Sequence, residues 1–175
     1  MHPELLQEGP GSYPLCGMAL EPVVPTAEEG ESSELLDMTR RLWMSALLTL
    51  PLLFLAMSDL VPGMPVQHAM GTRLLGWIQL GLATPVVLWA GWPFFVRGVQ
   101  SVRNRSLNMF TLIALGTSAA YVWSTVAQSV PGLLPPSVSG THQGPPLYFE
   151  SAAVIVTLVL LGQVLELRAR QATSG

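Results

Sequence analysis

Met109 and Glu166 are the side chains whose types and placement are best suited to handling an ion. Met109 opens one apolar run, and Glu166 stands near the end of another, in Leu161-Gly162-Gln163-Val164-Leu165-Glu166-Leu167. A thioether and a carboxylate at one membrane depth suit transient capture of a soft monovalent metal such as Cu⁺, because sulfur ligands favour it. A second carboxylate, Glu150, begins the run that Glu166 ends. As helix, the two acids would lie about 24 Å apart along the axis and roughly 160° apart around it. One carboxylate would then mark each mouth, on different faces. Plainer roles stay open: Glu166 paired with Arg168 or Arg170, Glu150 solvated at an interface, Met109 facing lipid.

Four apolar stretches must position these groups, approximately residues 42–61, 74–96, 107–129 and 147–167. A bilayer core needs about 20 apolar residues as helix, and only helices or closed barrels satisfy their backbone there. The fold class is therefore an all-α membrane protein with four transmembrane helices, and the lipid bilayer is its first partner. Composition agrees, since 50% of residues are hydrophobic and only 11% charged, against a usual charged share of about 25%. Eight acids crowd residues 1–39, where no arginine occurs. The single cysteine, Cys16, permits no intrachain disulfide and gives no sign of an oxidising compartment. The acidic N-terminus lacks the pattern of a cleavable signal. No nucleic acid is expected as a partner.

Orientation follows from the arginines. Arg40, Arg41, Arg97, Arg103, Arg105, Arg168 and Arg170 lie on one side of the spans, and Arg73 alone lies on the other. That bias places both termini and the 97–106 connector in the cytoplasm, in a multi-pass protein of the cell (inner) membrane. Trp43, Trp77, Trp89, Trp92, Tyr148 and Phe149 fall near the expected interfaces, as an aromatic belt requires. Asp59 reads as interfacial. Gly116, Ala119 and Ala120, with Ala152, Ala153 and Gly162, offer small surfaces for close helix approach.

The second span carries Thr84-Pro85 and then Ala90-Gly91-Trp92-Pro93, which removes helical hydrogen bonds and relaxes the backbone. Beyond Pro93, Phe95, Val99 and Val102 recur at helical spacing, with Arg97, Gln100, Arg103 and Asn104 elsewhere on the wheel. The pattern predicts a helix kinked into a short amphipathic segment on the cytoplasmic interface. It reads either as a plain proline bend or as a basic docking ledge.

Three segments carry a family resemblance. They are Leu107-Asn108-Met109-Phe110-Thr111-Leu112-Ile113-Ala114-Leu115-Gly116, Tyr148-Phe149-Glu150-Ser151-Ala152-Ala153-Val154-Ile155 with the run to Glu166, and Gly91-Trp92-Pro93-Phe94-Phe95. In this order and spacing the chain resembles the copper-exporting branch of the heavy-metal P-type ATPases, over its first four helices. The resemblance implies that Met109 and Glu166 form the cytoplasmic metal intake site and that Glu150 assists release outward. It implies that Gly91 and Pro93 set the kink of a platform whose basic residues are Arg97, Arg103 and Arg105. A cytoplasmic copper chaperone is the partner such a platform implies. The family's kink commonly has two adjacent glycines, where this chain has Ala90-Gly91.

The head, Met1-His2-Pro3-Glu4 and then Gly9 through Pro22, resembles a small heavy-metal-binding motif of some members. Its usual cysteines before Met-His-Pro and at Tyr13 are missing, leaving His2, Cys16 and Met18 as a weak soft-metal set. The expected organisation is a degenerate metal motif over 1–22, an acidic linker over 23–39, and two class-specific helices with their platform over 40–106. The first two core helices follow over 107–167, and 168–175 begin a connection to an actuator domain.

Family members also use an Asp-Lys-Thr-Gly-Thr phosphorylation sequence, a Thr-Gly-Glu actuator sequence and a mid-membrane Cys-Pro-Cys. None of these occurs in the sequence, so the polypeptide is expected to be non-catalytic by itself. ATP and Mg²⁺ belong to a full-length member. The expected function is the N-terminal part of an ATP-driven Cu⁺ (or Ag⁺) exporter. The alternatives are a stand-alone four-helix membrane protein that binds metal or partners, and a pump for another metal such as Zn²⁺.

Overall fold

A computed structural model describes residues 33–57, 71–130, 132 and 146–174. His2, Cys16, Met18 and Asp59 lie outside the described residues. Helices α1 (Ser33–Met57), α2 (Thr72–Thr84), α3 (Trp92–Arg103), α4 (Met109–Ser129) and α5 (Phe149–Ser174) follow in order. One π-helical turn, Pro85–Ala90, continues α2. Four segments are long and apolar enough to cross a membrane: Ser33–Met57, Thr72–Ala90, Met109–Ser129 and Phe149–Ala172.

The acidic segment ends earlier than its charge suggests, because α1 starts at Ser33. Its first turns bury Leu35 and Met38, and Asp37 accepts from Arg41 Nε at 2.8 Å one turn later. Charge on one face and apolar side chains on the other make an amphipathic start, with an i,i+4 pair adding to it. At the opposite end of the bundle, Gln128 Nε2 donates to the Arg73 carbonyl at 2.9 Å. The amide lies against Gly76, where a Cβ would come within 2.2 Å of it.

Helix α5 is central. Phe149, Ala153, Val156, Leu160 and Val164 form a buried line along it, at the 3–4 residue spacing that a helix turns toward one side. Helices α1 and α4 pack against it, and α2 lies beside α1. Between apolar helices in lipid there is little hydrophobic drive, so close packing and shared hydrogen bonds decide association. Thr49 and Thr157 share one at 2.9 Å between α1 and α5, and Thr84 and Tyr121 share another at 2.9 Å.

Two sequence expectations are corrected. Phe149 does not join an interfacial belt; it is fully buried and meets Tyr121 edge-on, with ring centroids 6.1 Å apart. The small residues also divide. Ala152 and Ala153 are fully buried, whereas the Cβ positions of Gly116 and Gly162 meet nothing within 4 Å. Those glycines mediate no helix contact within the described residues.

Candidate metal intake site

The segment between α2 and α3 is built around missing donors. Pro85 and Pro93 carry no N–H, so carbonyls one turn before each lose their usual partner. The backbone answers with a wider turn, in which Gly91 N–H donates to the Val86 carbonyl at 3.0 Å. The helix is interrupted at Gly91 and restarts at Trp92. Gly91 is tightly seated, since a Cβ there would lie 2.4 Å from the Val87 carbonyl oxygen.

Helix α3 turns Phe94, Gly98 and Ser101 inward. The apolar stripe predicted from sequence faces the other way, with Val99 and Val102 exposed beside Trp92 and Val96. Arg103 and Arg105 are also exposed. The inward face locks to the first turns of α4. Phe94 stacks on Phe110, with centroids 6.1 Å apart and planes 6° apart, and the Ser101 and Thr111 hydroxyls share a hydrogen bond. At Gly98 a Cβ would stand 2.9 Å from the Ala114 Cβ and 3.1 Å from the Phe110 carbonyl oxygen.

Met109 is the first residue of α4 because Asn108 caps it. The Asn108 side chain accepts from the backbone N–H of Phe110 and of Thr111, and the Thr111 hydroxyl accepts in return from Asn108 N–H. Such a capping box satisfies donors that a helix start leaves open. The cap fixes where the chain enters the helix, and so where the thioether stands. Met109 itself is about half exposed.

Glu166 lies on α5, the helix packed beside α4. Its Oε1 accepts from Arg170 Nη2 at 2.8 Å and its Oε2 from Gln163 Nε2 at 3.0 Å. The plainer expectation of an arginine partner therefore holds for Arg170. Arg97 ties the two helices together at this level. Its Nη1 donates to Gln163 Oε1 at 3.0 Å, and its guanidinium sits 5.3 Å from the Phe110 ring centroid. Its Nη2 reaches back to Glu34 Oε1 at 2.9 Å, at the start of α1. Sequence reading grouped Arg97 with Arg103 and Arg105; the structure turns it inward and leaves its side chain only 18% exposed. Neither Gln163 nor Glu34 was singled out from sequence, although Gln163 three residues before Glu166 is a standard one-face spacing on a helix.

Glu150 stands in the first turn of α5, at the far end from Glu166 and partly buried. Among the described residues no group of three or more His, Cys, Asp or Glu side chains comes together to hold a metal. No contact joins the Met109 thioether to the Glu166 carboxylate among the described residues, and the carboxylate carries Arg170.

No protein-family profile matches the chain. Individual relatives do. It is 56% identical over 176 residues to the silver exporting P-type ATPase of Salmonella typhimurium. It is 54% identical over 176 residues to the copper-transporting P-type ATPase of Rhizobium leguminosarum bv. viciae. A copper-exporting P-type ATPase of Legionella pneumophila subsp. pneumophila is 53% identical over 175 residues. Each alignment covers 100% of this chain but only 21–23% of the relative. The chain spans about a fifth of the length of the curated relatives it matches. Over its whole length the chain is homologous to the N-terminal fifth of the copper- and silver-exporting P-type ATPases.

Proposed function

We propose that this chain forms the metal intake region of an ATP-driven Cu⁺ (or Ag⁺) exporter. Met109 and Glu166 take the ion at the cytoplasmic end of the bundle, and Glu150 assists its release at the other end. The reading is supported by Arg97, which touches Phe110, the residue after Met109, and Gln163, which donates to Glu166, on two helices that pack together. Sulfur favours a soft monovalent ion, and the carboxylate supplies the opposite charge. Two ligands hold such an ion briefly, which suits transfer better than storage.

The second helix bends at Gly91-Trp92-Pro93 and lays α3 on the cytoplasmic interface. The exposed Trp92, Val99 and Val102 then meet lipid, and Arg103 and Arg105 are presented to a copper chaperone with an acidic docking face. Support for this orientation comes from the arginine bias, which places both termini and α3 on the cytoplasmic side. His2, Cys16 and Met18 are a weak auxiliary soft-metal set in the same compartment.

Cu⁺ competition against a chromophoric chelator tests the intake site on the chain in lipid nanodiscs. Met109→Leu and Glu166→Gln should each weaken binding by roughly tenfold, the worth of one metal-ligand or charge contact of about 1.4 kcal/mol. Unchanged affinity in both variants removes these side chains from metal handling.

A further inference from the structure

Arg97 touches both halves of the intake region without belonging to either. A guanidinium offers five donors in a fixed plane, and this one spends them in two directions. One edge holds Glu34 at 2.9 Å and another holds Gln163 at 3.0 Å, while the face of the ion lies 5.3 Å from the Phe110 centroid. Phe110 follows Met109 directly in the chain, and Gln163 donates to Glu166 at 3.0 Å.

The Gln163 amide explains why this junction matters. An amide has an acceptor end and a donor end. With Arg97 on its oxygen, its N–H₂ must face Glu166. Without Arg97 either end can turn toward the carboxylate, and an amide oxygen there would repel it. On the other side, Phe110 is stacked on Phe94, covered by Arg97 and backed by the close approach at Gly98. The first turn of α4, which carries Met109, is thereby tied to the same guanidinium.

We propose that Arg97 is a positioning residue for metal intake, orienting Glu166 through the Gln163 amide and Met109 through the Phe110 ring. The proposal rests on the intake reading given above. It gives Arg97 a different task from Arg103 and Arg105: displacement of α3 by a docked partner would move both ligands together.

The test is Cu⁺ competition on the full chain in nanodiscs, with Arg97→Met, Gln163→Leu and the double variant, and with Met109→Leu and Glu166→Gln as references. Arg97→Met and Gln163→Leu should each weaken binding roughly threefold to tenfold, the worth of one lost hydrogen bond. The double variant should bind no more weakly than Arg97→Met alone, since residues acting through one another are not additive. A merely structural arginine would lower the melting temperature without that coupling. If Glu166→Gln weakens binding while Arg97→Met and Gln163→Leu do not, Arg97 positions nothing and the proposal fails alone. Multiplying effects in the double variant overturn it as well. Should Arg97→Met not fold, Gln163→Leu decides, because it leaves Arg97 on Glu34 and Phe110. If both reference variants bind normally, the intake reading falls and takes the proposal with it.

Discussion

Arg41 donates through Nη1 to the Trp89 carbonyl oxygen and lies over the Trp89 ring, 4.9 Å from its centroid. Trp89 stands four residues before Pro93, whose missing N–H would otherwise have served that carbonyl. A side chain from α1 thus satisfies a backbone acceptor that proline leaves open in the second span. The same guanidinium is held by Asp37 at 2.8 Å, so the donor arrives already oriented.

Loss of this contact should be costly. Arg41→Met removes the donor from an exposed carbonyl, and stability should fall by roughly 0.5–1.5 kcal/mol. In a Pro93→Ala background, where the helix can supply its own N–H, the loss should shrink by half or more. Thermal melts of the four variants in one detergent measure both quantities. An equal loss in the two backgrounds would separate Arg41 from the proline.

Glycines on this bundle should behave oppositely. Gly98→Ala would force a Cβ to 2.9 Å from Ala114 and 3.1 Å from the Phe110 carbonyl, and should cost roughly 1–3 kcal/mol as α3 is pushed from α4. Gly162→Ala meets open space and should gain up to about 1 kcal/mol from helix propensity. Melting temperatures of the chain in detergent check both signs.

Arg105 has φ +52°, the left-handed conformation that favours glycine. It closes α3 in a Schellman arrangement, with Arg105 N–H on the Val102 carbonyl at 3.1 Å and Ser106 N–H on Ser101 at 2.9 Å. Glycine is the usual residue at that position. Arg105→Gly should therefore stabilise the chain by roughly 0.5–1 kcal/mol, the relieved strain less glycine's entropy. If the arginine charge serves a docked chaperone, the same variant should weaken docking at low salt, read by pull-down.

Arg170 Nη2 pairs with Glu166 Oε1 at 2.8 Å. The pair is exposed and of i,i+4 type, worth no more than about 0.5 kcal/mol. Arg170→Gln should leave the melting temperature nearly unchanged and tighten Cu⁺ binding about twofold, because the ion no longer displaces a resident cation. Weaker binding would instead make Arg170 a support of the carboxylate.

The spans were legible because twenty apolar residues in a row leave few alternatives, and Met109 was placed correctly at a helix start. The first turns of α1 were not, since Glu34 and Asp37 were counted as charge in an acidic segment. Leu35, Met38 and Leu42 at helical spacing, with Asp37 four residues before Arg41, carried the missing signal. Arg97 shows a deeper limit. Its type and neighbours fit a solvent-facing basic ledge, and what turns it inward is Glu34, 63 residues away. Gln163 escaped notice for the same reason, because an amide gains meaning only from what stands at its two ends. Periodicity found the exposed apolar stripe on α3, but not the second, inward face, where Gly98 lets α4 approach.

Between Ser106, which completes the last hydrogen bond of α3, and Asn108, which caps α4, stands only Leu107. That corner has no slack to take up a rotation. A load applied to the outer end of α3 therefore arrives as torque on the next helix, in the manner of a crank, and no local unwinding is needed to carry it.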